Sequence, residues 1–223
     1  MTKICCISDT HQKHEQLTLP ESDILIHSGD FTNKGNYFAI RDFLSWFVKQ
    51  PAKYKIFISG NHEIGLERGP TKEAKQDLIK SYVSVNENLY YLENSGISIE
   101  GMNIYGSPFT PYFYDWEWNV PRGAEIAKKW EAIPDSTNIL ITHGPPHSIL
   151  DLIDSFSNER DIHQGCEELL KKVDSLPALK LHVFGHLHLQ GCNQFILNNK
   201  IFVNAAMCDD KHKIRSNPIV VDM

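Results

Sequence analysis

The sequence has no apolar stretch approaching the roughly 18 residues that a membrane-spanning helix needs, which argues against helices that cross a bilayer. It has no CxxC pair, and its five cysteines are an odd number, with Cys5 and Cys6 adjacent in one apolar run. Such spacing does not make a disulfide framework, so the thiols read as reduced packing residues. Basic charge is short as well: 22 Lys and Arg against 28 Asp and Glu leave a net charge of -6. A nucleic-acid binder grips the backbone with a basic face, and this balance weighs against one. No internal repeat, low-complexity tract or linker interrupts the 223 residues, so one domain over residues 1–223 is expected. Nor does an apolar leader follow Met1, where "KICCIS" begins almost at once. The expectation is a cytoplasmic protein with no membrane partner.

What is present is the composition of a globular chain, 41% hydrophobic and 22% charged. Short apolar runs of β type recur as "KICCIS", "ILIHS", "YKIFIS", "NILIT", "LKLHVF", "QFIL", "KIFVNA" and "PIVVDM". Between them Tyr37, Ile40, Phe43, Leu44 and Phe47 fall at helical spacing, and so do Cys166, Leu169, Leu170 and Val173. Glu167 with Lys171 and Glu168 with Lys172 support the second helix on its wet side. Strand alternating with helix predicts an α/β fold with a largely parallel sheet or sheet pair. The stretches "LYYLENSGISIEG" and "QFILNNKIFVNA" read as hairpins that add antiparallel strands.

The strand ends carry the chemistry. The first runs into "SDTH" with Asp9 and His11, the second into "SGD" with Asp30, and the third into "SGNHE" with Asn61, His62 and Glu63. A fourth runs into "THGPP" with His143, and a fifth into "GHLH" with His186 and His188. Carboxyl ends of strands line the ligand crevice of open α/β sheets, so these residues should converge. Carboxylate, imidazole and amide oxygen without thiolate suit Mn, Fe, Zn or Ni, and the set is too large for one ion. Two ions need a bridging carboxylate, for which Asp30, alone on its strand end, is the candidate. Neutral imidazoles and only two carboxylates leave surplus positive charge, which attracts an anion and lowers the pKa of a water between the ions. Phosphoester hydrolysis is the reaction such a centre suits best.

The blocks "DTH", "GD", "GNHE", "THG" and "GHLH", in that order, resemble the calcineurin-like metallophosphoesterases. The resemblance implies a sandwich of two mixed β-sheets flanked by helices. It implies that Asp9, His11, Asp30 and His188 hold one metal, and that Asp30, Asn61, His143 and His186 hold the other. It also implies that His62 contacts the phosphate and the leaving group. Mn2+ is the expected ion, with Fe, Zn or Ni as alternatives. The segments "DILIHSGDFT", "YGSPFTP", "VPRG", "ITHGPP" and "GCEELL" look like the metallophosphoesterase-domain-containing branch, whose members act on cyclic nucleotides and other phosphodiesters. Some animal members have glycine where this chain has His186. The chain departs from the protein-phosphatase branch at Asn33, where those enzymes place an aspartate, and in "GDFTNKG", which lacks their arginine. Phosphoprotein substrates are therefore not expected.

Other residues divide more evenly. Imidazole can pass a proton near neutral pH, so His62 is the candidate catalytic residue. Glu63 either orients His62 or caps the turn after it. His27 and His182 lie inside strands and read as hydrogen-bonded core histidines. His14, His163 and His212 give no functional signal, and His147 reads as a loop residue. Asn204 either approaches the metals or bonds its own turn. In "SPFTPYFYDWEWNVPRG" the aromatic residues either pin a loop across the sheet or stack a nucleobase, with Trp116, Trp118 and Arg122 as the substrate-binding candidates. The expected function is thus a phosphodiesterase acting on cyclic nucleotides or other small-molecule diesters. A phosphomonoesterase or nuclease on the same site, or a metal-binding scaffold without catalysis, are the alternatives.

Overall fold

The computed structural model describes residues 1–153 and 162–223. Strand and helix alternate through the first half: β1 (Lys3–Ile7), β2 (Ser22–His27), α1 (Tyr37–Phe47), β3 (Ala52–Phe57), α2 (Lys72–Val85) and β4 (Leu89–Tyr91). Next come β5 (Ser95–Ile99), β6 (Met102–Ser107), the short β7 (Thr110–Pro111) and β8 (Asn119–Val120), α3 (Ala124–Glu131) and β9 (Ile139–Thr142). The short β10 (Leu152–Ile153) and β11 (Ile162–His163) precede α4 (Glu167–Ser175), β12 (Leu181–Phe184), β13 (Asn193–Leu197), β14 (Lys200–Asn204) and β15 (Ile219–Asp222).

Two mixed sheets result. One has the order β15-β1-β2-β3-β4, parallel except for β15, which pairs antiparallel with β1. The other has the order β13-β14-β12-β9-β6-β5, parallel in its middle and closed by antiparallel β13 and β5. Side chains alternate between the faces, so each strand feeds two cores. Ile4 and Cys6 of β1, Ile24 and Ile26 of β2, Ile139 and Ile141 of β9, and Leu181 and Val183 of β12 share one aliphatic cluster, the filling of the sandwich. Their neighbours Cys5, Ile7, Leu25, Leu140 and Phe184 face the other way, into the cluster shared with the helices.

The helices cover those outer faces. α1 starts where the Asn36 side chain accepts the Phe38 N–H, and it buries Ala39, Ile40, Phe43, Leu44 and Phe47. α4 starts at Cys166 and buries Leu169 and Val173. Both follow the apolar spacing of the sequence. α2 has no such clear stripe, because only Lys75, Leu78 and Ile79 are buried along its 14 residues. One expected hairpin does not form: the strands of "LYYLENSGISIEG" lie in different sheets. β4 runs parallel to β3, and β5 turns back on β6 instead. The Leu92 N–H bonds the Phe57 carbonyl, so the first sheet holds the chain just past β4 before it crosses. No helix among the described residues is long and apolar enough to cross a membrane.

The sheets meet where the site lies. Ser8 bridges Ala206 in parallel, so the C-terminal ends of β1 and β14 adjoin although they belong to different sheets. Loops that leave both sheets therefore open onto one edge.

Candidate metal centre

Each strand end delivers its residues through a tight, cross-bonded turn. The Asp9 N–H bonds the Gly29 carbonyl at 2.9 Å, the His11 N–H the Asp30 carbonyl at 3.1 Å, and the Gly185 N–H the His143 carbonyl at 2.9 Å. Asp9, His11, Asp30 and His186 all have positive φ, between 41° and 67°. Non-glycine residues adopt that region at a cost, and it persists here because the surrounding turns determine it. Gly185 is required by contact: a Cβ there would lie 1.9 Å from Asp9 Oδ2.

Three groups of side chains result. Asp9, His11 and His188 form one, His11, Asp30 and His62 a second, and Asp30, His143 and His186 a third, each with its ligand atoms within 4.8 Å of one another. Asn61 joins the third, its Oδ1 2.8 Å from His143 Nε2. Asp30 is 2% exposed and belongs to two of the groups.

The tautomers fit a metal. His143 Nδ1 lies 2.9 Å from the Ser28 carbonyl, to which it donates. Nε2 is left facing Asn61 Oδ1 and, at 3.3 Å, Asp30 Oδ2, and a proton or a metal ion has to stand between these oxygens and the nitrogen. His11 donates from Nδ1 to the Thr32 carbonyl at 3.3 Å, while its Nε2 lies 3.4 Å from His188 Nε2. Nitrogens and carboxylate oxygens thus converge without donors of their own, and the absence of sulfur suits a borderline or hard dication.

The electrostatics divide the imidazoles, lowering His11 and His186 and raising His143 and His188, so that an ion on the latter two displaces a proton. Burial pushes the His11 imidazole down to about 4 against the pull of Asp30 and Asp9, and burial with the His143 charge takes His186 to about 3. Both are therefore neutral and free to ligate. Burial also lowers His143, but the Asp30 charge and hydrogen bond outweigh it and raise the group to about 9. Burial raises the Asp30 carboxyl, yet the fields of His143, His62 and His11 hold it well below the usual range. Asp9 is likewise lowered against its burial by His188 and His143.

His62 stands over this cluster. Its Nδ1 lies 2.7 Å from the Asn33 carbonyl, which accepts its N–H, and its Nε2 lies 3.9 Å from Asp30 Oδ2. The Asn33 main chain, not its side chain, thus orients the His62 ring. Trp116 packs on the His62 ring, 4.4 Å between centroids at 35°. The other two substrate-binding candidates lie elsewhere. Trp118 is 2% exposed and packs against Phe109, so it offers no face to a ligand. Arg122 donates to the carbonyls of Gln164 and Gly165 and to Glu167, which ties it to the start of α4 rather than to a phosphate.

Glu63 neither orients His62 nor simply caps a turn. Fully buried, it accepts from the N–H groups of Asp30 at 2.9 Å, Gly60 at 2.7 Å and Thr32 at 2.9 Å, and from the Thr32 hydroxyl at 2.9 Å. It clamps the Asp30 turn to the Asn61 turn. Burial and the Asp30 charge raise it to about 8, against those hydrogen bonds. His27 and His182 are core histidines, bonded to the hydroxyls of Thr10 and Thr142. Asn204 accepts from Ala206 N–H and donates to the carbonyls of Leu150 and Leu187, holding turns rather than metals.

Sequence reasoning missed His212, whose ring lies flat on His11, 4.0 Å away at 1°. The signal available was its place after a strand end, in "CDDKHK", but 24 residues separate it from His188, and only the fold closes that gap.

Comparison with known proteins finds relatives over the whole chain. The family model described as calcineurin-like phosphoesterase matches residues 2–190. The human metallophosphoesterase domain-containing protein 1 is 37% identical over 100% of this chain and 71% of its own length. The UPF0046 protein K07C11.7 of Caenorhabditis elegans is 37% identical over 98% of this chain and 74% of its own. A 3',5'-cyclic-nucleotide phosphodiesterase of Nostoc, alr5338, is 25% identical over 76% of this chain and 57% of its own. Among solved structures, TT1561 of Thermus thermophilus has the same fold, with a TM-score of 0.62 at 13% identity over 91% of this chain and 88% of that one.

Proposed function

The chain belongs to the calcineurin-like phosphoesterase family, and we propose that it hydrolyses small phosphodiesters, cyclic nucleotides among them, at a centre of two divalent ions. The observation that carries the two-ion reading is the position of Asp30, shared between the group with His11 and the group with His143 and His186. Asp9, His11, Asp30 and His188 would hold one ion, and Asp30, Asn61, His143 and His186 the other. Bound there, Mn2+ or a similar dication supplies the charge that activates water and neutralises the phosphoryl oxygens. With Nδ1–H bonded to the Asn33 carbonyl, His62 presents Nε2 to the substrate; acting as the imidazolium it gives the Nε2 proton to the leaving oxygen and is left as the neutral Nδ1–H imidazole.

The diester preference rests on Trp116 and on charge. A diester carries one negative charge and a second substituent, so its recognition favours groups that hold the substituent over extra cations. Trp116 is partly exposed beside His62, whereas the nearby guanidinium groups are already engaged, Arg68 by Asp115 and the Trp116 carbonyl and Arg122 by Gly165 and Glu167. The resemblance to the Nostoc cyclic-nucleotide enzyme supports the same reading.

Metal analysis of the purified chain is expected to give two ions, with activity lost on chelation and restored by Mn2+. Across a panel of matched esters, diesters should show the higher kcat/KM. Trp116→Ala should lower a nucleotide substrate roughly 5- to 150-fold, the equivalent of about 1–3 kcal/mol of stacking, with little change on bis-nitrophenyl phosphate. A preference for monoesters, or equal losses on both substrates, would remove the diester reading.

A further inference from the structure

We propose that the loop Asp209–Arg215 supports one half of the metal centre only: His212 and Asp210 are positioning residues for His11 and His188, and they set the affinity of the ion that those two histidines hold. The inference rests on the two-ion reading above.

The contacts all fall on one side. The His212 ring covers one face of His11 at 4.0 Å, and the His62 ring abuts it edge-on at 4.7 Å, with 6.2 Å between those two, so the ligand ring is braced by one ring on its face and another at its edge. It needs that help, because its hydrogen bond to the Thr32 carbonyl is long, at 3.3 Å. Asp210 Oδ1 stands 3.4 Å from His188 Nδ1, on the far side of the ring from Asp9. A carboxylate behind a ligating imidazole fixes its tautomer and raises the basicity of the other nitrogen. Arg215 donates to the carbonyls of His188 at 2.7 Å and Leu189 at 3.3 Å, so the same loop also holds the His188 main chain.

The loop is stiff enough for this. Asp209 accepts from the N–H groups of Lys211 and Lys213, each at 2.9 Å, and the His212 N–H bonds the Asp209 carbonyl at 2.8 Å. Its base is tied to the chain just past β1, where the Met207 N–H bonds the Ser8 carbonyl at 2.9 Å. His143, by contrast, is 0% exposed and is oriented by the Ser28 carbonyl of the core. The loop is also largely on the surface, the Asp210 side chain being 76% exposed, so substitution there does not open the core.

The test is titration of the metal-free chain with Mn2+ alone, with metal content after dialysis as a second readout. His212→Ala and Asp210→Asn should each weaken one of the two sites roughly 10- to 100-fold and leave the other within about twofold. His212→Phe, which keeps the flat ring and removes the nitrogens, should restore the affinity. In a His186→Ala background His212→Ala should weaken the remaining site, and in a His11→Ala background it should change nothing. Melting of the metal-free variants checks that the fold is intact. Two ions bound with unchanged affinity in both substitutions would overturn this proposal alone, as would His212→Phe behaving like His212→Ala. A wild-type chain that binds one ion would overturn the two-ion reading and this proposal with it.

Discussion

The His143 side and the His11 side of the centre each pair two histidines with Asp30, differ in adding Asn61 or Asp9, and are held in different ways. On the His143 side the main chain does the holding. Ser28 carbonyl orients the ring, and Gly60 comes so close that a Cβ would meet Asp30 Oδ1 at 2.4 Å and His143 Cε1 at 2.5 Å. On the His11 side the main-chain partner of the ring, the Thr32 carbonyl, is more distant at 3.3 Å, and other side chains add to it, His212 across the ring face and Asp210 behind His188. A site walled by backbone has almost no room to adjust, whereas one walled by a surface loop can be tuned by single substitutions. The two ions should therefore differ in how tightly they are held and in how easily that is changed.

Three substitutions probe this contrast. Asp30→Ala should have the largest effect, because Asp30 serves both sides: both ions are lost on dialysis and turnover falls by roughly 10⁴-fold. Retention of either ion at wild-type affinity would show that the two sides do not share this carboxylate. His62→Ala comes next, since His62 touches the His11 ring without belonging to either set of ligands. Both ions should remain, while substrates with alkoxide leaving groups slow by roughly 10²–10⁴-fold and nitrophenyl esters by much less. Equal losses on both substrate types, with the ions present, would make His62 a phosphate-positioning residue instead. Gly60→Ala should have the smallest effect, a weakening of roughly 10- to 100-fold that is larger for the ion on the His143 side, where the methyl group meets His143 as well as Asp30. Equal weakening of both ions would mean that the methyl group acts through Asp30 and that the two sides are mechanically one.

Much of the fold was legible, for identifiable reasons. The strands of the parallel cores are short apolar runs, and α1 and α4 carry clean apolar stripes, so periodicity finds them. α2 escaped because its buried face holds a lysine among few apolar residues. The false hairpin in "LYYLENSGISIEG" arose because two adjacent β-type runs with a turn between them look alike whether the chain folds back or crosses to another sheet. In the site, the candidate ligands were legible because each follows a strand in a short polar block. Trp118 and Arg122 were misjudged because composition cannot tell a ring at the rim from a ring in the core, or a free guanidinium from one bonded to Gln164, Gly165 and Glu167.

By itself, then, the sequence determined the strand and helix alternation and the residue types at the strand ends, since both are local properties of spacing and side-chain chemistry. Tertiary structure decided the rest. Only the meeting of the two sheets at Ser8 and Ala206 brings the turn after β1 against the loop after β14, and with it His212 over His11. Only the same closure turns Glu63 from a residue beside a histidine into a clamp between two ligand turns. Contacts between residues distant in sequence depend on how the layers pack, and no local pattern encodes that.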